Sequence, residues 1–253
     1  MKQLKQILAI MTGIFIPSLI CSAQTVVYFP QVVDGITGNS GWTSSMAVAN
    51  SGTATASGTI TFTQDDGTPF NIVMRDQLKN PVGSGNTVPF QIPPGQTRFF
   101  LSHARQPVTS GFATITSNVP VVAGLVFSEY YVDASGGGTL ISEAGVPSAT
   151  ASTQQTVIAV KDQNDSGIAL ANVGTAAATI TFRLVDTNGN QALPAVTRTV
   201  GPMNHTAFLL SQLFPDAPAA FYGLLRMTST SPIVVTSLIV ETTGLFATLP
   251  IIQ

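Results

Sequence analysis

The chain has very few of the residues from which catalytic and metal sites are usually built. Among its 253 residues there are one cysteine, two histidines and one tryptophan, and charged side chains make up 9% of the sequence. A zinc site takes several histidine or cysteine ligands, and many hydrolases carry a Gly-x-Ser-x-Gly motif, which is not found in this chain. We therefore expect a non-enzymatic protein that holds no cofactor and no metal ion.

The scarce charge is slightly negative. Apart from Lys2 and Lys5, the chain carries eight basic and twelve acidic side chains, a formal charge of −4. No basic run is present that could follow a phosphate backbone, so nucleic acid is not an expected partner. Thr, Ser, Asn, Gln and Gly take the place of the missing charges, which is typical of an extracellular β protein.

The first 23 residues have the pattern of a secretory signal peptide. Lys2 and Lys5 precede a mostly apolar run of 14 residues, Ile7–Ile20, and small residues follow up to Ala23. A permanent span needs about 20 apolar residues, so cleavage after Ala23 and a secreted or cell-surface location are expected. A lipid anchor at Cys21 is the alternative, although Ile20 stands where such signals carry a small residue.

The most informative positive feature is an internal repeat. The run Ala47–Ala54 returns as Ala169–Ala176, and Thr59–Phe62 returns as Thr179–Phe182. A third match, Thr116-Ser117 with Thr228-Ser229, has a shorter offset, so the copies differ by small insertions. A period this long is typical of a duplicated domain and not of a solenoid.

Alternation of apolar and polar residues predicts strands throughout both copies. Ile60 and Phe62 share one face, as do Ile180 and Phe182, while the intervening threonines face water. Asx-Gly turns separate the strands, and a helical turn is expected only around 211–214. The pattern predicts an all-β protein of two tandem antiparallel β-sandwich domains.

The expected boundaries follow from a small, polar, uncharged stretch after Pro147. We predict a first domain over 24–147, a linker over 148–155 and a second domain over 156–253. The first domain carries two insertions relative to the second, at 76–86 and at 132–138. Inserted loops are frequent binding sites, although glycine-rich loops such as these are more often simply mobile.

Three aromatic residues are the candidate ligand contacts. Trp42 stands at the start of a strand, where a half-buried role at the sandwich edge competes with a sugar-binding role. Tyr130 and Tyr131 adjoin the second insertion and form the best candidate contact patch. Alignment of Thr206 with Thr97 places His205 at an exposed strand end.

A calcium loop is the one metal motif that the sequence suggests in part. The run Asp162–Gly167 has oxygen-bearing side chains at its first, third and fifth positions before glycine. The twelfth position, where a bidentate glutamate is needed, is Val173. An ordinary polar turn is therefore expected there.

Several short motifs resemble the repeats of secreted, largely uncharacterised bacterial proteins. They are Tyr28–Gly35, Gly41–Thr43, Ile92–Gly95 and Thr139–Pro147 in the first copy, and Ser166–Asn172, Phe208-Leu209, Leu213–Pro215 and Thr228-Ser229 in the second. The resemblance implies tandem immunoglobulin-like (Ig-like) β-sandwiches. It implies no activity and no catalytic residues.

These features favour a secreted, non-enzymatic protein with a binding, adhesion or surface-structural role, whose partner is an extracellular protein or glycan. One alternative is a self-associating structural subunit in which the uncharged segment Thr25–Phe29 completes a neighbour's sheet. The other is a carbohydrate-binding module that uses Trp42, Tyr130 and Tyr131.

Overall fold

The fold is nearly all β, as the sequence predicts, and is built from antiparallel strand pairs. The computed structural model describes residues 24–104, 107–249 and 251–252. The predicted signal peptide and Cys21 lie outside the described residues. No helix among the described residues has the length and apolar character needed to cross a membrane.

Ten strands form the first half of the molecule. They are β1 (Thr25–Thr37), β2 (Ser40–Ala49), β3 (Ala56–Gln64), β4 (Ile72–Arg75), β5 (Pro81–Gly85), β6 (Thr87–Ile92), β7 (Thr97–Leu101), β8 (Thr109–Ser117), β9 (Val122–Val132) and β10 (Gly138–Val146). β1 joins two layers, because its first part pairs with β8 and its last part pairs with β2. The change of partner occurs between Asp34 and Gly35, and a bulge between Phe29 and Val32 lies within the part that pairs with β8.

Eight strands and one short helix form the second half. They are β11 (Ser152–Lys161), β12 (Asn164–Asn172), β13 (Ala178–Asp186), β14 (Val196–Val200), β15 (His205–Leu209), α1 (Leu210–Leu213), β16 (Phe221–Glu241), β17 (Phe246–Leu249) and β18 (Ile251–Ile252). Here β16 joins the layers. Its first part pairs with β11 and β13, and its last part pairs with β12 and β17.

Each half has its own buried core. Phe62, Phe100 and Ile115 are fully buried in the first half, and Phe182, Leu184 and Leu225 are fully buried in the second. The alternation predicted for β3, β8, β13 and β16 is confirmed by this burial. β11 begins at Ser152, inside the stretch for which the sequence suggests a linker.

The sequence repeat corresponds to a repeat of strand order. β1, β2, β3, β6 and β7 match β11, β12, β13, β14 and β15, while β8 and β9 together match the long strand β16, and β10 matches β17. The β4–β5 hairpin has no counterpart among the described strands of the second half.

The two halves share an aromatic stack. Phe246 of β17 is buried among first-half residues. Its ring centroid lies 4.9 Å from that of Phe127 and 6.0 Å from that of Trp42, with near-parallel planes. The hydroxyl of Ser142 donates to the carbonyl of Phe246 and accepts from its backbone N–H. Trp42 therefore has a packing role between the halves.

A second contact joins the halves at His205. The sequence alignment predicts an exposed position for this residue, and that prediction is wrong, because His205 is buried. Its Nδ1 lies 2.8 Å from Oδ1 of Asp65, and its backbone N–H donates to the Asp65 carbonyl. Nearby, Phe112 packs with Ala171 and Val234 of the second half. The halves are therefore in direct contact at both ends of their junction.

Candidate functional site

A groove of about 660 Å³ lies on the first half. It lies over β2 and β7, between the β4–β5 hairpin on one side and the β9–β10 hairpin on the other. The lining residues are Ile36, Gly41, Thr43, Ser45, Arg75, Asp76, Lys79, Leu101, Ser102, His103, Ala104, Tyr130, Val132, Gly136 and Gly138. We call this surface the groove.

The walls of the groove lie at the two segments that the sequence marks as insertions, 76–86 and 132–138, and include the adjoining strand residues Arg75 and Tyr130. In the second half the hairpin of β16 and β17 ends with the pair Val240 and Phe246. In the first half the corresponding hairpin continues through the pairs Tyr130–Leu140, Tyr131–Thr139 and Val132–Gly138. The second insertion thus lengthens a hairpin instead of forming a long loop.

The groove combines hydroxyl groups with two cations and one anion. The carboxylate of Asp76 accepts hydrogen bonds from the backbone N–H groups of Leu78 and Asn80, which hold the pKa of Asp76 below its usual value. That carboxylate therefore fixes the turn between β4 and β5. Arg75 and Lys79 supply positive charge, and Nε of Arg75 is buried with no hydrogen-bond partner among the described residues.

Arg75, Asp76 and Lys79 were not among the residues that the sequence suggested. They reach the groove because β4 pairs with β7 through Arg75 and Leu101, a contact between distant parts of the chain. The insertion at 76–86 was the only sequence signal pointing to this region.

Tyr130 and Tyr131 lie on opposite faces of β9. Tyr130 pairs with Gly41 and lines the groove. Tyr131 pairs with Ser40 and is exposed. Neighbouring residues of a strand point to opposite sides, so the two rings do not form one patch. Of the three aromatic candidates, only Tyr130 belongs to the groove.

Trp42 lines a different concavity. A largely apolar cleft of about 350 Å³ lies between the halves, with Val33, Trp42 and Phe127 on one side and Leu238 and Val240 on the other. Trp42 is half-buried there, and its ring centroid is 6.2 Å from that of Phe127. The structure thus separates Trp42 from the groove that contains Tyr130.

The run that partly matches a calcium loop, Asp162–Gly167, covers the turn between β11 and β12 and the first four residues of β12. Oδ1 of Asp162 accepts the backbone N–H of Asn164 at 2.7 Å, and Oδ2 accepts the hydroxyl of Tyr222. These bonds lower the pKa of Asp162, that from Tyr222 most strongly. Within the described ranges, no three His, Cys, Asp or Glu side chains are grouped as metal ligands.

The uncharged segment Thr25–Phe29 is paired within its own chain. It forms a ladder with β8, from Thr25 opposite Ser117 to Phe29 opposite Ala113. On its other side, Ala149 donates its backbone N–H to the carbonyl of Tyr28. This pairing supports the simpler interpretation, in which the segment is the first strand of its own sheet.

Comparison with protein families, with curated proteins and with solved structures finds no match to this chain. A functional assignment therefore depends on the chemistry of the groove.

Proposed function

We propose that this chain is a secreted, non-enzymatic binding protein that acts at or outside the cell surface, with the groove as its contact site. In this proposal each half is an Ig-like sandwich. The supporting observation is that both walls of the groove lie at extensions of the first half. A duplicated scaffold that acquires extensions around one concave surface is well suited to binding.

The lining favours an acidic, hydroxyl-rich ligand such as a polysaccharide that carries carboxylates. Tyr130 offers an aromatic face to a sugar ring, and Thr43 and Ser45 offer hydroxyl groups. Arg75 and Lys79 would pair with carboxylates of the ligand. This form of the proposal is the carbohydrate-binding alternative with Tyr130 kept as the contact and with Trp42 and Tyr131 left out.

Affinity electrophoresis in gels that contain polygalacturonate, with dextran as the neutral comparison, tests the proposal. We expect retardation by polygalacturonate, and we expect Tyr130→Ala to weaken the interaction by about tenfold, equivalent to about 1.4 kcal/mol. Tyr131→Ala is the matched control, because it removes the same ring from the other face of the strand. Equal effects of the two variants, or no retardation of the unaltered protein, would contradict the glycan assignment. Turnover of a polysaccharide by the purified protein would contradict the non-enzymatic one.

A further inference from the structure

The repeat gives the two halves equivalent sheet faces that have different surroundings. In the second half, part of the face of β12 and β16 that points away from its own core is packed against the first half. Ala171 and Val234 on this face are fully buried and contact Phe112. Ala169 and Thr236, one step further along the same strands, are also buried.

Strand register identifies the equivalent residues in the first half. Ala169 pairs with Thr236 and with Ala207, and Ala47 pairs with Gly124 and with Phe99. The same register makes Val122 the counterpart of Val234, Ala49 that of Ala171, and Val126 that of Leu238. We call the first-half residues the open face; they are Ala47, Ala49, Phe99, Val122, Gly124 and Val126.

The open face is apolar and exposed. Val122 is 64% exposed, whereas its counterpart Val234 is 0% exposed. Phe99 and Val126 are 44% and 37% exposed, and their counterparts Ala207 and Leu238 are exposed and half-buried. None of the six residues is charged, and Ala47, Ala49 and Gly124 leave the centre flat. An apolar face of this kind marks an interaction surface on a secreted protein.

The first-half residue that contacts Val234 also has a counterpart in the second half. This residue is Phe112, which follows Gly111 in β8. Its counterpart is Leu224, which follows Gly223 in β16 and pairs with Ile158 of β11. Leu224 and Ile158 are partly exposed, so an apolar pair is accessible on the second half, with Tyr222 and Arg226 beside it on the same face of β16.

We propose that a second copy of this chain covers the open face. Val122 and Ala49 of one copy pack on Leu224 and Ile158 of the next, in the way that Val234 and Ala171 pack on Phe112 within the chain. The contact continues, between chains, the interface that already joins the halves. Because the two complementary surfaces lie on different halves, the contact is head-to-tail and produces rings or open chains. The inference goes beyond glycan binding, since the open face lies outside the groove.

Directed disulfide formation tests this register. In a background with Cys21→Ser, chains with Val122→Cys and chains with Leu224→Cys are mixed under mild oxidation. We expect the disulfide between the thiols introduced at positions 122 and 224 of different chains to form about tenfold faster than the disulfide in a mixture of Val26→Cys chains and Leu224→Cys chains. The reason is that docking raises the local thiol concentration. Val26 is a matched control, as it is 43% exposed and lies on β1, away from the open face. Equal rates for the two mixtures would overturn the proposal.

Light scattering of the full chain over a wide concentration range provides an independent measurement. We expect the molar mass to rise with concentration, and we expect Val122→Asp to shift that rise to about tenfold higher concentration while Val26→Asp leaves it unchanged. A monomer at all concentrations, or association that Val122→Asp does not weaken, would overturn the proposal. Neither result affects glycan binding, which Tyr130→Ala tests separately.

Discussion

At the scale of single residues, two asparagines explain why the repeat is most visible around the sequence Ala-Asn-x-Gly-Thr-Ala. Nδ2 of Asn50 donates to the carbonyls of Ala54 and Ile92, and Oδ1 accepts the N–H of Gly52. Asn172 makes the equivalent bonds to Ala176, Val200 and Gly174. Both asparagines are buried, so each joins a turn to a distant strand where water does not compete.

Replacement of either asparagine with alanine leaves buried backbone groups without partners. We expect Asn50→Ala or Asn172→Ala to lower the free energy of unfolding by about 1–3 kcal/mol, as measured by urea denaturation. Asn188→Ala is the control, because Asn188 lies exposed in the turn after β13. A stability loss no larger than that of the control would contradict the role given to these side chains.

The contact between Asp65 and His205 predicts an acid-dependent stability. Burial alone would raise the pKa of Asp65, but hydrogen bonds from His205 and Ser110 outweigh it and hold the pKa below 3.8. The unfolded chain then binds more protons in this range. The stabilisation is therefore complete above about pH 4 and is lost as the pH falls through the lower, folded-state pKa.

Thermal unfolding between about pH 2 and pH 6 measures this effect. We expect the unaltered protein to have a higher Tm than Asp65→Asn above about pH 4, and we expect the difference to shrink towards pH 2. Asp216→Asn is the control, since Asp216 is an exposed carboxylate in the turn between α1 and β16. A Tm difference that is independent of pH would contradict the role of the Asp65 carboxylate.

At the scale of strands, a misaligned repeat still predicts the buried residues correctly when the alignment is wrong by an even number of positions. The sequence aligns Phe62 with Phe182, but the partners of these residues show that Phe62 is equivalent to Leu184, two positions on. A shift of two keeps every side chain on its face. The buried residues of β3 and β13 were therefore predicted correctly from an alignment in the wrong register.

The burial of His205 could not be predicted from either alignment of β15 with β7. The sequence aligns Thr206 with Thr97, whereas strand pairing makes His205 the equivalent of Thr97. The register error does not explain the wrong prediction, because Thr97 is itself exposed. His205 is buried because it contacts Asp65 of the first half, a tertiary contact that alignment of the two copies does not contain. The groove could not be predicted from the sequence for a different reason. Arg75 of β4 and Tyr130 of β9 line the same groove only because β7 and β2 lie between their strands in the sheet.

The docking of β17 on the first half predicts a specific spectroscopic change. Phe246→Ala removes a buried ring from the stack with Phe127 and Trp42, so we expect a loss of about 3–5 kcal/mol in unfolding free energy. Trp42 is the only tryptophan, and its fluorescence should shift to longer wavelength as water reaches it. Leu245→Ala, at the exposed neighbouring position, should change neither quantity. An unchanged emission spectrum for Phe246→Ala would contradict the stack.

At the scale of the whole molecule, the two halves repeat one strand order but have different surroundings. The second half buries one sheet face against the first half through Val234 and Phe246, while the equivalent first-half face stays accessible. The first half alone carries the extended hairpins that wall the groove. Both proposed contacts, with a glycan and with a second copy, depend on this asymmetry.

The reactivity of thiols placed at the two equivalent positions tests this asymmetry most directly. In a Cys21→Ser background, the labelling rates of Val122→Cys and Val234→Cys are compared in dilute solution, where association is minimal. Because Val122 is 64% exposed and Val234 is 0% exposed, we predict rapid labelling at 122 and strong protection at 234. Equal labelling of the two positions in folded protein would show that the halves do not pack as described, and it would contradict the account.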